Sequence, residues 1–306
     1  MQQNSIPLYE ANGIQLPRLA FGTYNLSGET CRGLVKAALD HGISLIDTAS
    51  YYGNEEDVGR ALKDLGCNRD DVIISTKIWR TDVTPDKIIE SAENSLKKLG
   101  VERIDILSPH WNKASTPIED MMQAFDLLRQ AGKIRAIGLS NFNVDMMHKV
   151  LATGIRPVIG NQVEMHPYLG QRAMYEAFRD NPLMRDENLA LIAFSPLANG
   201  RVPVDPRLQE IAAEYGKTAP QIALRWILQR QGTIALFRAD TPAQIAENIN
   251  VFDFNLSDNH MAEIDRMTAC HARYYEHPSM KKKWDKASAF SDLSQEEALS
   301  PGPPGL

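Results

Sequence analysis

The chain has 306 residues, which fits two average domains or one large α/β barrel. Apolar residues make up 43% and charged residues 24%, as in ordinary globular proteins, and this excludes a disordered or fibrous chain. The formal net charge of −6 argues against a broad basic face and therefore against a nucleic-acid partner.

The amino terminus and the cysteines bear on location. Residues 1–7 lack the basic and apolar stretches of a signal peptide, and no run approaches the ~18 apolar residues of a membrane span. Cys31, Cys67 and Cys270 are widely spaced, which favours a reducing compartment and neither a disulfide framework nor a metal site. We therefore expect a cytoplasmic monomer or weak oligomer with no membrane partner and no bound metal.

Eight short apolar runs recur along the chain, and segments with helical periodicity lie between them. The runs are residues 19–22, 45–47, 72–77, 104–107, 136–140, 158–164, 191–195 and 233–237. Strands that are apolar almost throughout and alternate with helices are typical of a parallel sheet covered on both faces. Eight of them predict a closed (β/α)8 barrel, the TIM-barrel fold, rather than an open sheet.

Helix boundaries carry their own signals. Threonine-proline pairs at 84–85, 116–117 and 241–242 predict helix starts, with threonine as the cap and proline in the first turn. Gly100 and Gly132 predict the ends of the first two of these helices. Pro109 cannot donate to a strand ladder, so we expect the fourth barrel strand to end one or two residues early.

Segments at both ends lie outside the eight-fold pattern. Residues 5–16 predict a small hairpin that plugs the bottom of the barrel. The hairpin and the barrel together are predicted to form one domain over residues 1–268. The alternation of apolar runs and helical segments ends there. Residues 269–306 are therefore predicted to be a carboxy-terminal segment that covers the substrate site and ends in disordered residues.

Polar residues follow several of the predicted strands. Asp47 ends the second strand, Lys77 ends the third and His110 follows the fourth, while Tyr52 lies shortly after Asp47. In a parallel barrel, residues at the carboxyl ends of the strands face the active site. The sequence therefore predicts that these four side chains converge on one mouth.

These four groups suit the reduction of a carbonyl. Hydride addition produces an alkoxide that must be protonated, and the phenol of Tyr52 has an ordinary pKa of about 10. The Lys77 ammonium is expected to lower that pKa, with Asp47 holding the lysine charged and oriented. His110 would orient the carbonyl by a hydrogen bond. The alternative for Lys77 is a purely structural ion pair with Asp47.

Four longer segments, residues 47–55, 74–79, 132–142 and 161–168, closely resemble the signature segments of the aldo-keto reductases. The resemblance runs from about Ile6 to Asp265 and is strongest to the bacterial branch of 2,5-diketo-gluconate and methylglyoxal reductases. Motifs of this length, in order on the expected elements, are more specific than a lone short pattern. The resemblance implies NAD(P)H-dependent reduction of an aldehyde or ketone to an alcohol.

The resemblance also implies residue roles. It assigns catalysis to Asp47, Tyr52, Lys77 and His110, with Tyr52 rather than its neighbour Tyr51 as the acid. Independently of the resemblance, aromatic walls suit a site that excludes water around a hydride transfer, and the alternative for these rings is packing at the top of the barrel. We expect the pocket for a small carbonyl substrate to be lined by Tyr24, Tyr52, Trp79, His110 and Trp111, with Tyr168 as a further aromatic candidate.

A larger set of residues is implied for the coenzyme. Ser140, Asn141 and Gln162 would bind the nicotinamide carboxamide, Phe194 would stack on the ring, and Ser195, Leu197 and Asn199 lie where the pyrophosphate loop runs. The remaining members are Gly22, Thr23, Tyr24 and Asp47 near the first strands, and Arg238, Ala239, Gln244, Glu247 and Asn248 after the last strand. Glu247 and Asn248 would bind the adenine amine.

The segment after the last strand departs from the family. Gln244 stands where an arginine usually clamps the 2′-phosphate of NADPH, which leaves Arg238 as the local cation. We expect NADPH as coenzyme, with a preference that comes from Arg238, and the use of NADH or of both remains open.

Two other functions remain as alternatives. One is a cofactor-binding regulatory protein that keeps the barrel without catalysis, which the presence of all four catalytic residues argues against. The other is a barrel isomerase or aldolase that uses Lys77 as a Schiff base. Asp47 argues against this second alternative because it keeps the lysine protonated. The sequence does not choose among carbonyl substrates.

Overall fold

A computed structural model describes residues 6–66, 68–112 and 116–275. Ser5 of the predicted hairpin, Cys67 and residues 276–306 of the predicted carboxy-terminal segment therefore lie outside the described residues. The strands are β1 Leu8–Ala11, β2 Ile14–Pro17, β3 Leu19–Gly22, β4 Leu45–Asp47, β5 Ile73–Ile78, β6 Ile104–Pro109, β7 Ile134–Ser140, β8 Val158–Glu164, β9 Ala190–Phe194 and β10 Thr233–Phe237.

The helices alternate with the strands. They are α1 Gly28–Asp40, α2 Glu55–Asp64, α3 Pro85–Leu99, α4 Ile118–Gln130, α5 Val144–Ala152, α6 Arg172–Asp180, α7 Pro182–Asp186, α8 Pro206–Tyr215, α9 Ala219–Leu228, α10 Pro242–Asn248 and α11 Asp258–Met267. Short 3-10 turns cover Ser50–Tyr52, Arg69–Asp71, Arg80–Asp82, Ala198–Gly200, Val202–Val204 and Thr268–Cys270. In the part of the chain that the structure describes, no helix combines the length and the apolar character needed to cross a bilayer.

Strands β3 to β10 form a closed parallel barrel in which β10 pairs with β3. Each of the eight predicted apolar runs is one of these strands, and their bounds differ from the prediction by no more than two residues. The (β/α)8 fold predicted from the alternation is therefore confirmed. Closure leaves no sheet edge and brings all the strand carboxyl ends to one side.

The prediction that β6 ends early was wrong. The strand runs to Pro109, which pairs with Ile78, and the next backbone N–H, from His110, donates to the Ile78 carbonyl at 2.8 Å. Alternate residues of a parallel strand bond to opposite neighbours, so the missing N–H of Pro109 faces β7. The register between β6 and β7 ends at Leu107, and the proline therefore interrupts no ladder bond.

The helix starts at Pro85 and Pro242 are confirmed, with the preceding threonines in the N-cap positions. Helix α4 begins at Ile118, one residue later than predicted. Pro117 has an extended ψ of 139° and takes the N-cap position itself. The glycines at 100 and 132 lie beyond their helices with positive φ, as the sequence indicated.

A hairpin of β1 and β2 precedes the barrel and turns at Asn12 and Gly13, which both have positive φ. Its buried side chains include Leu16, which packs in one cluster with the barrel-interior residues Ile106 and Ile234. The hairpin therefore covers the amino end of the barrel interior, and the carboxyl end remains available for a site.

Candidate active site

The four predicted catalytic residues meet at the carboxyl end of the barrel. Asp47 is the last residue of β4, Lys77 lies near the end of the neighbouring β5, and His110 directly follows β6. Tyr52 ends the 3-10 turn after β4, and this turn stops at Gly53, whose positive φ of 69° suits glycine. Parallel pairing of β4, β5 and β6 therefore sets the relative positions of three of these side chains.

Asp47 and Lys77 form a buried ion pair, and further hydrogen bonds hold both charged groups. The Lys77 ammonium donates to Asp47 Oδ1 and, at 2.9 Å, to the Thr48 carbonyl. Asp47 Oδ2 accepts from Ser75 Oγ at 2.8 Å and from Gln162 Nε2 at 3.1 Å. Asp47 and Lys77 are only 2% and 1% exposed, so removal of either partner would strand a buried charge.

Tyr52 keeps its proton at neutral pH. The Lys77 ammonium lies 5.3 Å from the centre of the Tyr52 ring. Nevertheless burial, reinforced by the Asp47 carboxylate and by Tyr24 and Tyr275, raises the pKa of Tyr52 well above its ordinary value. The net shift is therefore opposite to the lowering expected from Lys77, because burial and the Asp47 carboxylate outweigh the effect of the ammonium.

The burial that protects Tyr52 also affects its neighbours. Burial lowers the pKa of Lys77, and the Asp47 carboxylate opposes that shift. Burial and, to a smaller extent, Lys77 hold the pKa of His110 well below its usual range, so His110 is a neutral imidazole at pH 7. Its Nδ1 is buried and has no hydrogen-bond partner among the described residues.

Aromatic rings surround the phenol. The centre of the Tyr24 ring lies 5.1 Å from that of Tyr52, and the Trp79 ring lies edge-to-face with His110 at 5.2 Å. Trp111 follows His110 and is 9% exposed. Ring contacts thus bring together Tyr24, Tyr52, Trp79 and His110, four of the five side chains that the sequence assigned to the substrate pocket.

Tyr168 differs from the sequence-based expectation of a pocket wall. Its hydroxyl donates to Asp205 at 2.7 Å, and the Arg201 guanidinium lies 3.9 Å from the centre of its ring. Burial and the Asp205 carboxylate raise its pKa. These contacts make Tyr168 a packing residue that joins the loop after β8 to the start of α8.

The predicted nicotinamide residues adjoin the catalytic group. Ser140 ends β7, and the Asn141 N–H donates to the Gln162 carbonyl at 2.9 Å. The amide nitrogen of Asn141 donates to the His110 carbonyl at 3.0 Å, whereas its Oδ1 is buried without a partner among the described residues. An acceptor that lacks a donor at this position fits the amide group of a nicotinamide carboxamide.

The backbone is strained where the sequence placed the pyrophosphate. Phe194 ends β9, and the next residue, Ser195, has φ of 49°. Asn199 has φ of 51°, and Leu197 caps the 3-10 turn that contains it. Left-handed conformations at residues other than glycine cost free energy and concentrate at ligand sites.

The predicted adenosine residues are engaged in contacts within the chain. Arg238 forms a 2.7 Å ion pair with Asp240, and Gln244 Oε1 accepts the Asp240 N–H at 2.7 Å. Glu247 accepts from a threonine hydroxyl on α9. The Oδ1 of Asn248 is buried without a partner among the described residues, which fits an adenine amine.

The remaining predicted coenzyme residues lie at or just after the carboxyl ends of β3, β4 and β10. Gly22 ends β3, and Thr23 donates through both its N–H and its hydroxyl to the Asp47 carbonyl. Ala239 is buried just after β10. All of the predicted coenzyme positions therefore lie in loops at the carboxyl end of the barrel or in the last residues of its strands, except those in α10.

Three residues at the carboxyl end of the barrel were not predicted from the sequence. Ser75 holds Asp47 and lies two positions before Lys77, so the two-residue period of a strand could have found it. Glu164 and Tyr275 hold a segment across the mouth. Glu164 lies inside a recognised motif without an assigned role, and no periodicity or spacing signal indicated Tyr275.

A closed parallel barrel with an acid, a lysine, a tyrosine and a histidine at the carboxyl ends of its strands defines a TIM-barrel enzyme. The model of the aldo/keto reductase family matches residues 18–269, and the chain belongs to this family. It is thus an oxidoreductase of the class that reduces carbonyl groups.

Relatives of similar length support this membership. The chain is 36% identical over 264 residues to an aldo-keto reductase from Mycobacterium sp. (strain KMS), covering 85% of this chain and 93% of that protein. It is 34% identical over 258 residues to a glyoxal reductase from Bacillus subtilis (strain 168), covering 84% and 90%. A crystal structure of a putative 2,5-diketo-D-gluconic acid reductase B superposes with a TM-score of 0.86 and 36% identity, covering 92% and 99% of the two chains.

Proposed function

We propose that the protein reduces an aldehyde or ketone to the alcohol with a nicotinamide coenzyme, and that Tyr52 supplies the proton. The observation that supports this most is the position of the half-buried Tyr52 phenol, whose ring centre lies 5.3 Å from the Lys77 ammonium and 5.6 Å from the centre of the His110 ring.

The chain has a suitable place for each end of such a coenzyme. Two buried acceptors without partners, Asn141 Oδ1 and Asn248 Oδ1, fit the amide of the nicotinamide and the amine of the adenine respectively. Phe194 and the strained loop from Ser195 to Asn199 lie between them in sequence. When bound, a dihydronicotinamide supplies the hydride.

The proton moves as follows. As hydride adds to the carbonyl carbon, the π-electron pair moves to oxygen, and the oxygen takes the proton from the Tyr52 hydroxyl. An alkoxide is a stronger base than a phenolate, so this transfer is downhill even with the raised pKa of Tyr52. The Lys77 ammonium stabilises the phenolate that remains, and neutral His110 donates a hydrogen bond that orients the carbonyl.

We further propose that the enzyme uses NADPH with only a modest preference over NADH. Arg238 supplies a cation for a 2′-phosphate, but the 2.7 Å ion pair with Asp240 partly neutralises it. Gln244 adds no charge and is occupied with the start of α10. A charge-assisted clamp with two guanidinium groups is therefore not formed.

The substrate is proposed to be a small carbonyl compound bound against Tyr24, Trp79 and Trp111. The relatives include a glyoxal reductase and a putative diketogluconic acid reductase, so dicarbonyl compounds are the first to assay.

The test compares Tyr52→Phe with Tyr51→Phe, a neighbouring tyrosine that stacks on Trp79 at 3.9 Å and would keep its ring. Loss of a general acid reduces turnover by about 10²–10⁴-fold, so Tyr52→Phe should bind NADPH normally and lose turnover by that amount. Tyr51→Phe should stay close to wild type. Equal turnover of the two variants on glyoxal and glyceraldehyde would contradict the proposal.

Two rival functions give different results in the same preparations. A regulatory barrel would bind NADPH and reduce no member of a carbonyl panel. A Schiff-base enzyme would be trapped by borohydride at Lys77 with substrate in the absence of nicotinamide, which the bound Asp47 carboxylate opposes.

A further inference from the structure

A segment after helix α11 crosses the mouth of the barrel. Residues 270–275, here called the strap, begin in the turn Thr268–Cys270. Near its start, the Ala272 N–H and the Cys270 thiol donate to the Tyr168 carbonyl at 3.0 and 3.5 Å. These contacts fix one end of the strap to the loop that follows β8.

Glu164, the last residue of β8, fixes the other end. Its side chain is fully buried. One carboxylate oxygen accepts the Tyr274 N–H at 2.7 Å, and the other accepts the Tyr275 N–H at 2.9 Å. Only a carboxylate offers two acceptor oxygens, because an amide would place an NH₂ group against one of the two backbone donors.

His166 supports the carboxylate. Its Nδ1 accepts the Tyr168 N–H at 3.3 Å, which assigns the ring hydrogen to Nε2. That Nε2 then donates to Glu164 Oε1 at 3.1 Å. Three donors thus hold a buried carboxylate that takes no part in the proposed proton transfer.

Tyr275 is the side chain that the strap places over the cleft. Its hydroxyl donates to Asn199 Oδ1 at 2.8 Å and forms a hydrogen bond with Ser195. Its ring lies edge-on to Phe194 at 5.7 Å and to Tyr24 at 6.2 Å. A ligand that extends from Phe194 to Asn199 must pass beneath Tyr275 or displace it.

We propose that Glu164 is a positioning residue that keeps the strap closed through Tyr275, and that opening of the strap limits the release of coenzyme. The identity of the ligand as a nicotinamide dinucleotide rests on the proposed function. The claim that the strap is held closed rests on the hydrogen bonds of Glu164 and Tyr275, which do not depend on the identity of the ligand.

The test measures the rate constant of NADPH release by stopped-flow fluorescence from the full-length protein. Tyr275→Phe keeps the ring and removes the bonds to Asn199 and Ser195, so release should become about tenfold faster. Glu164→Gln should accelerate it at least as much. Tyr9→Phe, which removes a hydroxyl that donates to Asn188 Oδ1 at the amino end of the barrel, is the matched control and should leave release unchanged.

A double variant separates positioning from general destabilisation. If Glu164 acts through Tyr275, Glu164→Gln should add little to the release rate in the Tyr275→Phe background. Amide hydrogen exchange should rise at Tyr274 and Tyr275 in Glu164→Gln while the β8 amides stay protected.

The possible failures are distinguishable. Release from Tyr275→Phe within twofold of wild type, or fully additive effects in the double variant, would overturn the strap as a gate. Unchanged exchange at residues 274 and 275 in Glu164→Gln would overturn the role of the carboxylate. Failure of the wild-type protein to bind either NADPH or NADH would overturn the proposed function together with the claim about release.

Discussion

The two ends of the proposed coenzyme cleft are built in opposite ways. Around Lys77, a buried ammonium and carboxylate are held by three further protein groups, and both charges are nearly inaccessible to solvent. Around Arg238, the charges are partly exposed, and a flexible guanidinium is paired with an aspartate two residues away. The comparison separates a region that the fold has fixed from one that depends on a few surface side chains.

The difference reflects the chemistry that each region would perform. A proton donor requires one geometry and one protonation state, which burial and a complete hydrogen-bond network provide. A phosphate-binding region requires only net positive charge and reach, and both change with single substitutions. We therefore expect large, damaging effects at the buried end and graded changes of selectivity at the exposed end.

The largest effect is expected from Lys77→Met. This change leaves Asp47 as a buried carboxylate without its counter-ion, and such losses cost about 3–5 kcal/mol of unfolding free energy. Turnover should fall as well, since the cation beside Tyr52 is gone. Chemical denaturation and a reductase assay measure the two effects.

A surface lysine provides the control for this variant. Lys133 lies 3.5 Å from Glu93 with both side chains substantially exposed, so Lys133→Met should change stability by no more than about 1 kcal/mol. The double change Asp47→Leu with Lys77→Met should recover part of the stability but none of the turnover. Recovered turnover would mean that the pair is only structural.

A graded effect is expected at Gln244. Gln244→Arg adds a guanidinium near Arg238 and should raise the NADPH-to-NADH ratio of kcat/KM by about 10-fold to 100-fold. Gln244→Glu keeps the acceptor that caps α10 and should lower the same ratio. Arg238→Ala should also lower it, and an unchanged ratio in Arg238→Ala would show that this cation does not contact the coenzyme.

The smallest effect is expected in the dependence on pH. Because the pKa of His110 is lowered and that of Tyr52 is raised, kcat/KM for reduction should show no step near pH 6.5 or near pH 10, their ordinary values. Below pH ~6.5 the unfolded chain binds a proton at His110 that the folded chain does not, so stability decreases as pH falls. His110→Gln should lose less stability than the wild type as the pH falls. A step in kcat/KM near pH 6.5 would contradict the claim that His110 is neutral in the folded protein.

The barrel could be predicted from sequence because each strand is nearly continuous in apolar residues and because capping threonines, prolines and glycines mark helix ends. All eight strands follow from that pattern. The end of β6 could not be predicted from that pattern, because the effect of Pro109 depends on which neighbouring strand its missing N–H faces. Similarly, the side chains of the catalytic group were predictable as a set, but the direction of the shift in the Tyr52 pKa depends on burial and on Asp47.

A cover over the site was predicted for residues 269–306, but the contacts that hold the strap could not be predicted, for a different reason. Residues 270–275 contain no helical or strand period, and their position depends on hydrogen bonds that their backbone N–H groups donate to Glu164, more than 100 residues away in sequence. A buried acid at a strand end is visible in sequence only as a polar residue in an apolar run. Two of the three donors to Glu164 are backbone N–H groups, which leave no compositional signal.

Direct transfer of hydrogen from coenzyme to product tests the central claim. The wild-type protein is incubated with dihydronicotinamide dinucleotide that carries deuterium at both C4 positions and with glyceraldehyde or glyoxal, and the product is analysed by mass spectrometry. The account predicts one deuterium per molecule of alcohol, bound to the carbinol carbon. Alcohol without deuterium, or substrate conversion that needs no nicotinamide, would contradict it.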